Sequence, residues 1–578
     1  MSEIFISTQH IIYNKMRIAR YFFSVVVMLM VGGITSCSGT DPVAPAEEEK
    51  EKVVETDSTE TDFTETDGIS FSLAETDFGE DSQLSDFTVP LKPNAVSTSY
   101  LRSGLEGRAS LSKEPIDRMR QTTPRALSSG RYKVLAYDEA GALQAKLEAT
   151  AVAGKFSSKD TMHLDPGTYT FVCLNDKVDL TAGGDINVSR ANAAIARIGR
   201  TVMTVSGPRL KVPLVMNHVG VRVRISLEAM VNIPNNVKAV LYDNKGNTAT
   251  LTKYNPMDGT YETIASGTFA DPEESFPSTG STDFSKETYV STSAPAGYHY
   301  FLPDEGLAIQ FKFTAGDQIY CKPLAGVMMF MHYNLGGGFA PSSSYYINLK
   351  LINLFKYLFS DGSVDLLRHR RSRTPIAIVV SETDRTAIAL HDANNGVPTM
   401  WTSNRKIYNN PVAEQPGQSD QIEARSKGLH WTWDASGSLD GTTVKANEPD
   451  KCPAFYYAAH YNPGVSLTGP YLSKWYLGAN TDWKNAYLYL GFGTNTKVNA
   501  ASAMAHCYYH VVNKAFTDVG GTSLFSTSSS VDLRKFWSAT YYRDFNTGVI
   551  HIFKDGSTDG SNSLSDKDVA LVRAFIHY

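Results

Sequence analysis

The chain has 578 residues, with 54 lysines and arginines against 60 aspartates and glutamates, a net charge of −6, 42% hydrophobic residues and 11% aromatic ones. That length suffices for roughly three ordinary domains, and no basic stripe of the kind that binds nucleic acid is present. The five cysteines at 37, 173, 321, 452 and 507 form no CxxC pair and have no histidine at zinc spacing, which argues against a zinc site.

In chain order, the first element is a leader. Lys15, Arg17 and Arg20 precede an apolar run from Tyr21 to Val31, and small residues lead from there to Cys37. This describes an export signal too short to span a bilayer, with Met16 as an alternative start. Ile34-Thr35-Ser36-Cys37 resembles the lipobox of bacterial lipoproteins. The resemblance implies that residues 1–36 are a signal peptide and that the Cys37 thiol, the nucleophile of the pair, takes the lipid. A single acylated terminus holds a chain to a membrane surface without spanning it. No later stretch is long and apolar enough to cross, so the body is expected outside the inner membrane.

Residues 41–86 then carry about 16 carboxylates against two bases, with Thr-Glu-Thr-Asp recurring. Like charge at this density resists collapse, so 37–86 is read as a lipidated, acidic, disordered spacer. The remainder of the chain is slightly basic. Phe87, Val89 and Leu91 alternate with polar neighbours as a strand does. RYKVLAYDEAG and DPGTYTFVCLND give two clear strands, the second entered through the Pro166-Gly167 turn, with Tyr169, Phe171 and Cys173 on one face. Val219, Val221, Val223 and Ile225 alternate in a further strand, and VKAVLYDNKGN repeats the look of YKVLAYDEAG. Two all-β units are expected, over 87–217 and 218–352.

The lipobox together with R-x-K-V-L-A-Y-D-x-x-G and L-D-P-G-T-Y-T-F-V-C resembles the fimbrillin superfamily of Bacteroidetes, over roughly residues 70–350. The resemblance implies two transthyretin-like β-sandwich domains. From residue 353 the texture changes. Phe359-Ser360-Asp361-Gly362, the strand PIAIVVS, Trp475-Tyr476-Leu477, Trp537-Ser538-Ala539-Thr540 and Val572-Arg573 resemble, in order, the C-terminal domain of some fimbrial proteins, which is similar to C-type lectins and formylglycine-generating enzymes. Gly478 departs from that pattern, where proline is usual. The expected fold is mainly β, two sandwiches followed by an α+β C-type-lectin-like domain over 353–578.

No G-x-S-x-G elbow, H-E-x-x-H helix, Walker loop or Rossmann glycine triplet is present, so neither catalysis nor a cofactor is expected. Gly336-Gly337-Gly338 reads as an inter-strand loop. Asn447-Glu448-Pro449-Asp450, with Asp482-Trp483-Lys484-Asn485 downstream, resembles the calcium-and-sugar motif of true C-type lectins, but Lys484 interrupts it and a plain turn is the reading, with no metal expected. All six tryptophans lie in the last domain. Trp475 and Trp537 are expected in its core, whereas Trp431 and Trp433, in polar HWTWDASGS, are candidate ligand contacts. Cys452 and Cys507 are a candidate disulfide pair, and RHRRSR (368–373) is a basic loop.

The fimbrillin resemblance implies partners and a route. A lipidated precursor reaches the outer membrane. A trypsin-like protease then cuts after an arginine, freeing an N-terminal strand, and the groove accepts a strand from the neighbouring fimbrial subunit. Phe87 to Leu91 is the expected removable strand, Arg102 and Arg108 the first candidate cut sites, and Arg125 and Arg131 the fallbacks. The chain ends in VALVRAFIHY, which reads as built into the last domain, so a tip subunit is expected, binding a host or bacterial surface glycan or protein in adhesion or biofilm formation. The alternatives are a fimbrium anchor or a glycan-binding lipoprotein that never polymerises.

Overall fold

The computed structural model describes residues 68–78, 95–101, 104–113, 126–283, 286–293, 297–303, 306–334, 338–411, 427–490, 505–506, 508–525, 533–542, 546–553, 557–563 and 568–578. Strands dominate, and among the described residues no helix is long and apolar enough to cross a membrane.

The first strand, β1 (Gly68–Glu75), lies inside the stretch expected to be acidic spacer. It pairs in parallel with the strand Arg209–His218 over eight positions, at the end of a seven-stranded sheet. That sheet continues through Arg197–Val205, Gly167–Asn175, Gly130–Tyr137 and Leu143–Val152 to Lys155–Ser158. Both of its faces are covered. Ile69, Phe71, Val134, Phe171, Cys173, Val212 and Leu214 fill one apolar cluster, whereas Leu135, Val172, Leu174, Ile198 and Val219 fill another. The face expected for Tyr169, Phe171 and Cys173 is therefore one of two buried faces, and FVCL (171–174) reads apolar throughout because water reaches neither side.

The strands β2 (Ala95–Leu101) and β3 (Leu105–Lys113) do not join that sheet. They form a hairpin whose β3 pairs antiparallel with Ser344–Asn353, so the order is Tyr289–Thr292, Val221–Ala229, Ser344–Asn353, β3, β2. Facing it is a sheet built on Val237–Tyr254, Gly306–Ala315 and Met328–Asn334, and the core between them runs from Leu105 and Leu111 through Val223, Ile225, Phe311 and Met329 to Leu351. Residues 95–113, expected in the first sandwich, thus complete the second. The chain enters the first unit as β1, crosses to the second for β2 and β3, returns at Gly130, and then lends Asp179–Leu180 and Ile186–Ser189 to the sheet built on Val237–Tyr254.

The repeated Y-D-x-x-G has a physical meaning. Asp138 accepts from the amide of Ala142, and Asp243 from the amides of Lys245, Gly246, Asn247 and Thr248. Gly141 and Gly246 follow at φ +81° and +79°, a region open to glycine at little cost. Each carboxylate satisfies turn amides that the ladder leaves open.

Beyond residue 355 a six-stranded sheet runs Val364–Leu366, Lys356–Phe359, Pro375–Ser381, Thr386–Ala389, Ala574–His577, Tyr476–Leu477. The helices Gly428–Trp433, Pro453–Ala459, Asn480–Leu490 and Tyr509–Thr517 accompany it, together with a four-stranded sheet that includes Leu533–Tyr542 and Asn546–Phe553. The motifs noted in the sequence are the joints of this unit. Trp537 Nε1 donates to Thr399 O (2.6 Å), Thr540 Oγ1 accepts from the amide of Asn480 (3.0 Å), and Gly362 turns at φ +80° against Gly469. Arg573 is fully buried, donates to Ala389 O, Leu390 O and Thr522 O, and pairs with Asp392 at 2.6 Å. At Gly478, the departure from a pattern in which proline is usual, a Cβ would stand 2.3 Å from the Phe575 ring.

Candidate functional site

β1 is an outer strand held by side chains as well as by its ladder. Ile69 and Phe71 point into the core, the latter edge-on to Phe171 at 6.0 Å, and the Ile69 amide donates to Met162 O. The neighbouring strand Arg209–His218 meets β1 over eight residues but Arg197–Val205 over only three. Without β1, most of one strand's hydrogen-bonding edge would face solvent.

The last residue of β1, Glu75, is 3% exposed. Its Oε1 accepts from Tyr132 Oη (2.8 Å), its Oε2 accepts from Ser128 Oγ (2.7 Å), and Arg197 Nη1 lies 3.0 Å from Oε2. Arg197 Nη2 is 3.0 Å from His218 Nε2 and 3.7 Å from Asp77. Burial, followed by the adjoining Glu75 carboxylate, raises the Tyr132 phenol well above its usual range, so it stays a donor. Three residues on, Phe78 stacks on the His218 ring at 3.8 Å, close to Tyr300 and to the Arg222 guanidinium. Phe78 therefore pins the segment where the first sandwich meets the second.

β2 is the corresponding outer strand of the second sandwich. Its ladder partner is β3, and on the other side Ser99 Oγ donates to Phe330 O at 2.7 Å. Val96 and Tyr100 are exposed, and the Arg368 guanidinium sits 3.3 Å from the Tyr100 ring centroid. A cavity of about 400 Å³, lined by Tyr100, Lys322, Lys356, Arg368 and Tyr489 among others, opens beside it. Lys322 donates to Gly104 O and Asn353 Oδ1, and burial, then the nearby Lys356, lowers it to about 8.

The residues singled out in the sequence fall as follows. Cys37, Phe87 to Leu91, Arg102, Arg125 and Cys507 lie outside the described residues. Arg108 sits within β3, paired to Thr98 on one side and Lys350 on the other, and Arg131 is paired to Thr150. Backbone locked in a ladder cannot enter a protease cleft without unpairing. Cys452 is a fully buried thiol packed with Trp401 and Phe455, and burial pushes it up to about 12; its candidate partner Cys507 is outside the described residues.

Trp431 is buried in the core and is no ligand contact. Trp433 is half-buried, with Nε1 donating to Trp475 O and Lys474 Nζ lying 4.1 Å over its ring, so its face is already covered. Trp475 and Trp537 are core residues. Asp482 accepts from the Ala479 amide and from Tyr476 Oη, and Glu448 pairs with Lys451, so neither carboxylate is directed to a shared centre. In the basic loop, Arg373 folds back onto Ser363 and Asp365, whereas Arg368, Arg370 and Arg371 remain exposed. The features that composition concealed are Glu75 and its partners, because a short alternation in ISFSL was averaged into an acidic window.

No family model matches the chain, and no curated protein matches it. It is similar to several solved structures. A fimbrial protein from Bacteroides ovatus is 12% identical and is matched over 89% of this chain and 100% of that one, with a TM-score of 0.24. A putative cell adhesion protein from Bacteroides fragilis is 12% identical over 52% and 96% (TM-score 0.24). The fimbrial anchor protein Mfa2 from Porphyromonas gingivalis is 12% identical over 44% and 91% (TM-score 0.24).

Proposed function

We propose that this protein is a non-catalytic structural and adhesive subunit of cell-surface fimbriae, exported as a precursor lipidated on Cys37 and held at the outer membrane before assembly. One observation carries the reading. β1 and β2 are each the outermost strand of a sheet, one in each sandwich, and Arg102 follows both in sequence. A single cut there releases two outer strands together and leaves two open edges that a neighbouring subunit's strands can complete. The removable element is thus β1 with β2, rather than Phe87 to Leu91 alone.

A position at the fimbrium tip is favoured by the other end of the fold. The strand Ala574–His577 is paired on both sides, to Thr386–Ala389 and to Tyr476–Leu477, and Arg573 beside it is buried. Such a strand cannot be donated without dismantling its domain. The last domain then serves as the adhesive, C-type-lectin-like unit. Its contact surface lies elsewhere than at Trp431.

The test is the intact mass and N-terminus of the protein in filaments sheared from cells. An N-terminus just after Arg102 in the high-mass fraction is expected. A diacylated start at Cys37 found only in membranes would overturn the tip reading in favour of a permanent anchor or an unpolymerised lipoprotein.

A further inference from the structure

We infer that the seat of β1 selects its occupant by charge: it is built to take a strand that carries a carboxylate six residues after its first core-facing side chain and an aromatic ring three residues beyond that. The inference rests on the strand-replacement reading above and specifies the partner it requires, a neighbouring subunit's strand with the spacing of Ile69, Phe71, Leu73, Glu75 and Phe78.

Apolar positions alone would make the seat permissive, because any alternating strand fits a groove lined by aliphatic and aromatic side chains. The far end of the seat is different. Tyr132, Ser128 and Arg197 converge on one point, and all three reach it from parts of the first sandwich that stay in place if β1 leaves. Arg197 is itself mostly buried, with a side chain 13% exposed. A strand that brought an amide or an alkyl group would leave this desolvated guanidinium with only Asp77, 3.7 Å away and the more exposed of the two carboxylates, as its counter-charge, which weakens the seat by more than the lost attraction alone. A strand that brought a lysine would place like charge against it. The Phe78 slot between His218 and Tyr300 fixes register, since a shift by one residue would put the carboxylate on the opposite face.

The experiment uses the full chain with a site-specific protease sequence inserted between residues 85 and 86, cut once so that both pieces stay associated. Labelled peptides of the sequence GISFSLAETDF then compete for the seat, either unchanged or with Glu75→Gln or Glu75→Lys. The unchanged peptide should enter. The glutamine peptide should bind on the order of 10- to 100-fold more weakly, as expected for losing hydrogen bonds to a charged group, and the lysine peptide should not enter. In an Arg197→Gln protein the glutamate-over-glutamine preference should shrink to within about threefold, the range left by the two neutral donors. Tyr132→Phe, a milder change that keeps the ring, should reduce the preference several-fold if Arg197→Gln does not fold. Equal binding of the glutamate and glutamine peptides would overturn the charge selection while leaving strand replacement standing. Failure of every peptide to enter would overturn strand replacement itself, and the selection with it.

Discussion

Replacing Arg573 by methionine tests whether the last domain is closed by a buried charge. The guanidinium donates to three main-chain carbonyls, Ala389 O, Leu390 O and Thr522 O, and pairs with Asp392, which is also paired with Arg534 at 2.5 Å. Methionine fills similar space but leaves those carbonyls short of a donor and removes one of two counter-charges from a carboxylate whose side chain is 4% exposed. Breaking one side of a buried pair typically costs about 3–5 kcal/mol. Arg534 stays beside Asp392, so a loss near 3 kcal/mol is expected. All six tryptophans lie between residues 401 and 537, so tryptophan fluorescence during urea unfolding reads this domain alone. A loss below about 1 kcal/mol, the size of an exposed pair, would refute the argument that this network holds the terminal strand in place.

Other outcomes follow from the same geometry. Gly478→Ala should destabilise the last domain by about 1–3 kcal/mol through overpacking against Phe575; an unchanged urea midpoint would mean that the ring has room to move. Burial alone would lower His299, but its hydrogen bonds to Asp271 and Glu274 prevail and raise it to about 9. A histidine raised in the fold contributes stability that is complete below about pH 6.5 and lost as pH rises through 9. Unfolding measured across pH 6–10 should therefore show a downward slope that disappears in His299→Gln. Asp243→Ala should cost about 2–4 kcal/mol, since four amides and the Thr248 hydroxyl lose their acceptor at a site 1% exposed; near-neutral behaviour would show that water takes over the turn.

Much of the fold could be read from the sequence because its signals are local. The strands at Gly130–Tyr137, Gly167–Asn175 and Val221–Ala229 announce themselves by turn residues and β-branched or aromatic runs, and the five spaced motifs of the last domain are its packing joints. Non-local facts were hidden. Nothing in residues 95–113 says that their partner begins at residue 344, because pairing register is a property of two segments and not of one. Trp431 and Trp433 are two apart, which places both on one face of a strand. They fall on a helix, where the same spacing turns them about 200° apart, so Trp431 enters one core cluster and Trp433 packs half-buried against another. The seat of β1 was concealed most completely. Its carboxylate looked like one more charge in an acidic run, and only the fold brings Arg197, Tyr132 and Ser128 to it.

The crossing of the chain between sandwiches also constrains how the molecule can come to be folded. β1 waits for residues 209–216, and β3 waits for residues 344–353, more than two hundred positions later. The second sandwich cannot close until that late strand emerges, so it should finish well after the sheet that holds β1, as high sequence separation between partners slows folding. Until then the β2–β3 hairpin exposes a pairing edge with no partner beside it. A fragment cut cleanly at the apparent boundary near residue 218 would inherit that problem permanently, the later half lacking four strands (β2 and β3 from one sheet, Asp179–Leu180 and Ile186–Ser189 from the other) and the earlier half carrying a hairpin with nothing to join.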